Sequence, residues 1–203
     1  MPNSLHDNAK PKSGYHHGDL RAELIREGIR QLERGGIADL SLRQLAKSVG
    51  VTGSAPYRHF PDRRALLEAI AAEGYRRVAA TLAPSGVRAA EGARRMVLFA
   101  DEHPAWWELM AGCGGAIGPD LEEARGTFLA ELVGVVERSI GGGAPEEAIR
   151  LAVAVWSALL GLVQLRAGGG VALLDATMVP EPAALAESIV TGRPMPPAGG
   201  RPR

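Results

Sequence analysis

Between residues 43 and 63 stand Arg43, Lys47, Thr52, Gly53, Ser54, Tyr57, Arg58, His59 and Arg63. Apart from Gly53, each carries a side-chain hydrogen-bond donor. Donors of this kind reach phosphate oxygens and the edges of bases. Gly53, Ser54 and Ala55 are small, as residues must be where a helix start approaches the floor of a DNA groove. A solvated charged face accounts for any one of these residues alone. Together, on short helices joined by a tight turn, they read as a DNA-contacting surface. Other chemistries find less support. The chain has no H-E-x-x-H, no G-x-S-x-G and no phosphate-binding glycine loop after a strand. His16 and His17 lack further metal ligands at helical spacing. We therefore expect no enzyme, no cofactor and no metal site.

The elements that must position these donors are legible as helices. Leu20, Leu24, Ile25, Ile29 and Leu32 form one apolar stripe, predicting a first helix over 19–34 that ends at Gly35-Gly36. Ser41 with Gln44 three residues on reads as a capping box for a second helix, with Leu40 and Leu45 as its hydrophobic staple. Gly50 supplies the left-handed stop. Only Val51 separates it from Thr52, an N-cap candidate for a third helix over 52–60. Two short helices so closely joined cross at a large angle, which is helix-turn-helix geometry. Asp62 caps a fourth, linking helix over 63–82. Beyond Pro84-Ser85-Gly86, helical stretches are expected at about 88–111, 119–140, 145–167 and 181–191, separated by glycine clusters. No strand-like alternation is present, so the expected fold is all-α. Its divisions are an arm (1–15), a helix-turn-helix domain (16–64), an effector-binding and dimerisation domain (83–192) and a disordered tail (193–203).

The 203-residue chain has a formal net charge of zero, which hides a division. Residues 1–64 hold 11 Lys and Arg against 7 Asp and Glu, a balance of +4; the remainder balances at −4. A basic head on an acidic body points one end at a polyanion. Lys10, Lys12, His16 and His17 give the arm its own means of touching a phosphate backbone. Cys113 is the sole cysteine, so no internal disulfide forms and a reducing cytoplasm is the expected location. The first residues lack the apolar run of a secretory signal. No charge-free stretch of about 18 apolar residues was found, so no membrane span is expected.

In the body, Phe99, Trp106, Trp107, Met110 and Phe128 are candidates for an apolar ligand cavity, with His103 or Gln164 as a polar handle. Ordinary core packing is the alternative. Trp106 and Trp107 point about 100° apart on a helix, so both cannot face one pocket squarely. The stretch 151–165 is almost wholly apolar and must be buried on several sides. With 181–191 it could pair with its copy as a four-helix dimer interface.

The stretch LSLRQLAKSVGVTGSAPYRHFPDRRALL (40–67) resembles the tetracycline-repressor (TetR) family, with Gly50-Val51, Tyr57-x-x-Phe60 and Arg63-x-x-Leu66 as landmarks. The resemblance covers about the first third of the chain. It implies an all-α homodimer on a palindromic double-stranded operator, with a C-terminal domain that binds a small molecule. By position Tyr57 and His59 match backbone contacts, Arg43 a base or phosphate contact, and Arg63 a phosphate contact. DEHPAWWELMAG (101–112) and WSALLGL (156–162) are similar to a Trp-His-Gly subgroup, which adds Trp156 and Leu160 to the ligand set. Leu160 stands where that subgroup has histidine. The implied function is a regulator, most often a repressor, released by an apolar effector. A constitutive or architectural DNA binder without an effector is the alternative.

Overall fold

The computed structural model of the chain describes residues 19–168 and 179–196. The expected arm with Lys10, Lys12, His16 and His17 lies outside them, as does the tail from residue 197. Among the described residues every regular element is helical.

The head begins with α1 (Leu20–Gly35), capped by Asp19, whose Oδ1 accepts from the Ala22 N–H at 3.0 Å. Leu24, Ile29 and Leu32 are buried, and Gly36 at φ +75° ends the helix. After a 3-10 turn (Ile37–Asp39), α2 runs over Leu42–Val49. The expected capping box does not form, because the Ser41 hydroxyl makes no cap bond. Burial of Leu40, Leu42 and Leu45 fixes the entry angle instead, as a hydrophobic staple does. At the other end Gly50 sits at φ +78°, and Val51 N–H returns to the Ala46 carbonyl at 2.9 Å. That is the Schellman closure which glycine permits.

The expected third α-helix over 52–60 is corrected to a single 3-10 turn, Ala55–Arg58. Pro56 has no N–H to continue an α-helical ladder, and Gly53 and Ser54 propagate one poorly. Ala55 N–H closes on the Thr52 carbonyl at 3.0 Å, and His59 and Phe60 N–H both close on the Pro56 carbonyl at 2.9 Å. Pro56 and Phe60 are buried beneath this turn.

The linking helix α3 (Arg63–Leu82) has the expected bounds, its cap being Asp62 Oδ1 on Ala65 N–H at 2.8 Å. Ala69, Ala71, Ala72 and Ala79 are buried along it, which lets neighbouring helices approach closely. A Cβ at Gly74 would stand 2.6 Å from both Met110 Sδ and Trp106 Nε1, so this crossing requires glycine.

The stretch expected as one helix over 88–111 is two, α4 (Ala89–Glu102) and α5 (Pro104–Gly112), meeting at His103. Pro104 opens the new helix, where its missing N–H costs nothing. Then come α6 (Pro119–Ile140), α7 (Pro145–Ala167) and α8 (Pro182–Thr191). The most extensive packing is α6 along α3, with α8 against α4 and α7. Head and body share one continuous apolar core. By length and composition α7 passes as long and apolar enough to cross a membrane, as the core helix of a soluble protein also can; the run between Arg150 and Arg166 is still shorter than 18 residues, and 33% of the most apolar window is buried within this chain.

Candidate nucleic-acid interface and body site

The short turn after α2 divides its residues by face. Leu42, Leu45, Ala46, Pro56 and Phe60 point into the head core, while Arg43, Lys47, Thr52, Gly53, Ser54, Tyr57, Arg58 and His59 are exposed. All nine sequence-predicted contact residues, Arg63 included, are exposed. Tyr57 is 52% exposed, an unusual place for a ring with no role beyond packing. Thr52 and Ser54 hydroxyls face each other at 3.4 Å. A cleft of about 440 Å³ runs beside this surface, lined in part by Leu20, Val51, Thr52, Arg58 and His59.

Gly53 is not demanded by the fold. Its φ is not positive, and a Cβ there would meet nothing within 4 Å. Arg63 is placed differently from the rest. Its Nε donates to the Leu40 carbonyl at 2.8 Å and a terminal nitrogen donates to the Ile37 carbonyl. Those bonds tie the start of α3 to the chain entering α2.

In the body, the candidate ligand residues fall into two groups of rings. Phe99, His103 and Trp106 form one, with centroids 5.0–5.7 Å apart. Trp106 is fully buried, donates Nε1–H to the Ile70 carbonyl at 2.8 Å, and carries the Arg77 guanidinium over its ring at 4.8 Å. His103 leaves the interior and reaches Glu33 of α1 at 3.0 Å. The second group joins Trp107, Trp156 and Phe128 to Tyr75, with Trp107–Trp156 at 5.2 Å and Phe128–Trp156 at 4.8 Å. The two adjacent tryptophans do face different groups. Met110 is buried, its carbonyl accepting from Tyr75 OH at 3.1 Å. Leu160 is half-buried against the core. Gln164 lies outside both groups, exposed on an open groove with Pro104 and Glu108.

Tyr75 and Arg125 were not picked out by sequence reasoning. Burial pushes the Tyr75 phenol up from its ordinary pKa, and the nearby Arg125 charge only partly offsets that. The phenol therefore stays neutral and donates. Their link is visible only in three dimensions, because the residues lie on different helices. The same holds for Asp120, which opens α6 and takes Arg21 of α1 at 2.9 Å and Arg76 of α3. A further cleft of about 320 Å³ lies where head meets body, lined by Ile37, Leu67, Glu108, Leu109 and Cys113 among others. Among the described residues no group of three or more His, Cys, Asp or Glu could hold a metal ion.

Comparison with known proteins gives two domain matches. Residues 24–70 match the family described as bacterial regulatory proteins, tetR family, and residues 89–192 match the tetracyclin repressor-like C-terminal domain. No curated protein sequence matches significantly. Among solved structures, a protein of unknown function from Rhodococcus sp. RHA1 is 30% identical over 89% of this chain and 94% of its own, with a TM-score of 0.66. A TetR variant from Acinetobacter baumannii AYE in complex with minocycline is 21% identical over 85% of this chain and 94% of its own, with a TM-score of 0.62. BioQ with its double-stranded DNA operator is 21% identical over 84% of this chain and 97% of its own, with a TM-score of 0.54.

Proposed function

The chain belongs to the TetR family of DNA-binding transcriptional regulators, and on that premise we propose that it is a cytoplasmic repressor, released from a palindromic operator by a small-molecule effector. The observation that carries the DNA contact is the facial division of the turn after α2. Its donors are exposed, and its apolar residues are buried and hold the backbone in place. Thr52, Ser54, Tyr57, Arg58 and His59 offer donors to bases and phosphates, while Arg43 and Lys47 extend the surface along α2. A four-residue turn contributes little area, so useful affinity needs two copies about one DNA turn, roughly 34–36 Å, apart. A homodimer through α7 and α8 supplies them.

The effector reading rests on how head and body are joined. Asp120 grips Arg21 and Arg76, His103 grips Glu33, and Arg64 donates to the Ala116 carbonyl. A ligand that repacks the body aromatics moves these ties and with them the head. It lowers operator affinity only by as much as it prefers the non-binding arrangement.

The test uses the DNA flanking the gene. Footprinting should show protection of a palindromic segment, and fluorescence anisotropy should show binding to it. Tyr57→Ala combined with Arg43→Ala should weaken binding by roughly tenfold or more, since each good contact contributes about 1–3 kcal/mol. Helical content and oligomeric state should not change. Unaltered binding at physiological salt overturns the interface.

A further inference from the structure

Two buried donors in the body have no acceptor. Trp107 Nε1 and Arg125 Nε are both shielded from solvent and neither makes a hydrogen bond. Buried N–H groups are almost always paired, and leaving one unpaired costs about 1–3 kcal/mol, more when the group is charged. Here both belong to one set of rings. Trp107 contacts Trp156 at 5.2 Å, Trp156 contacts Phe128 and Tyr75 at 4.8 and 6.5 Å, and the Arg125 guanidinium stands over Tyr75 at 5.4 Å. The Trp156 ring offers Trp107 only the weak acceptance of a π face. Elsewhere in the core such groups are satisfied, as with Trp106 on the Ile70 carbonyl and Tyr75 on Met110. Arg125 is also bonded to a residue that lines the head–body cleft, although it does not line that cleft itself. A terminal N–H donates to the Cys113 carbonyl, and Cys113 lines the head–body cleft of about 320 Å³.

We propose that the effector is an oxygenated aromatic acid, whose carboxylate is taken by Arg125 and whose second oxygen acceptor is taken by Trp107, with its rings against Tyr75, Phe128 and Trp156. This deepens and rests on the effector reading above. Flat aromatic walls select a planar body, since tilted and edge-on ring contacts add to simple burial. One cationic and one neutral donor select an anionic oxygen and a neutral one. His103 and Gln164, the handles expected from sequence, are not needed, because His103 faces Glu33 and Gln164 faces solvent.

Four bicyclic probes of similar size separate the two contacts: coumarin-3-carboxylate has both oxygens, 2-naphthoate only the carboxylate, coumarin only the neutral acceptor, and naphthalene neither. Binding is read by quenching of tryptophan fluorescence and by calorimetry on the full chain. Coumarin-3-carboxylate should bind tightest, by roughly tenfold or more over each single-acceptor probe, as hydrogen bonds to charged groups contribute about 1.5–3 kcal/mol. Trp107→Phe should erase its advantage over 2-naphthoate and spare its advantage over coumarin. Arg125→Gln should do the reverse. Arg125→Met, which removes the charge and keeps much of the side-chain length, provides the same comparison if Arg125→Gln does not fold. Equal binding of all four probes, binding of none, or preferences that survive both substitutions overturns the proposal. If the expected preferences appear but operator affinity does not change, the site stands and the effector reading fails. Operator binding measured without probe reports separately on the DNA interface.

Discussion

Gly53 is not required by the fold, so any role it has lies in the proposed DNA contact. Nothing lies within 4 Å of where its Cβ would be, and its backbone is one that any residue adopts. Gly53→Ala should therefore leave thermal stability unchanged or raised, since alanine restricts the unfolded chain by about 0.4–1 kcal/mol. If Gly53 lies in the proposed interface, operator affinity should fall severalfold, because the added methyl would stand where backbone and DNA approach. A drop in melting temperature with intact DNA binding would reverse this assignment. Arg63 is the opposite case. Its side chain already serves the Leu40 and Ile37 carbonyls, so Arg63→Ala should destabilise the head by about 1–3 kcal/mol through unpaired acceptors. A phosphate contact makes a different signature, a salt dependence of binding shallower by about one counterion. Measuring the slope of log K against log salt for this variant decides between the two. Residue types alone made Gly53 and Arg63 equal members of one patch, and only their surroundings separate them.

At the scale of elements, the ends of helices were legible wherever a side chain or glycine dictates them. Asp62 fixes the start of α3, Pro119 the start of α6, and Gly36, Gly50 and Gly141 at positive φ fix three ends. Reading failed where a residue forbids continuation inside an apolar run. Pro56 reduces a helix to a 3-10 turn, and Pro104 splits one helix into two, because a lost N–H outweighs helical periodicity. The body residues were named from sequence, but not their sorting into two ring groups, which depends on crossings such as α3 with α5 at Gly74. α7 is the element whose pattern remains incomplete in one chain. Ile149, Val153 and Leu165 are 46–50% exposed on a helix apolar enough to need cover. A second copy of the same face would bury them. Val153→Arg should shift sedimentation from dimer to monomer, with circular dichroism unchanged and operator affinity reduced at least tenfold, since each half-site then binds alone. A Val153→Arg protein that still sediments as a dimer places the interface elsewhere.

At the scale of the whole molecule, head and body are fastened at the first turn of α6. Asp120 there meets Arg21 from α1 and Arg76 from α3, while Glu68 of α3 accepts from the Gly118 N–H at 3.1 Å. The helix start itself favours a negative charge at this point. Burial works to raise the Asp120 carboxyl, but hydrogen bonds from Arg76 and Arg21 and the charges of both outweigh it and hold it below the usual carboxylate range. A carboxylate whose folded pKa is depressed contributes stability above its unfolded pKa of about 3.9, and that contribution is lost as pH falls through the folded value. The partners are 37–46% exposed on their side chains, so solvent screening limits the contribution to about 1 kcal/mol or less. The stability difference between the natural chain and Asp120→Asn, from urea unfolding, should thus be constant from pH 8 to about pH 5 and shrink toward zero below about pH 4. Raised salt should shrink it at neutral pH as well. Because the tie joins head to body, hydrogen exchange in α1 should rise in the variant at neutral pH while exchange in α7 does not. A difference that persists undiminished at pH 3 would mean that Asp120 acts through packing and not through its charge.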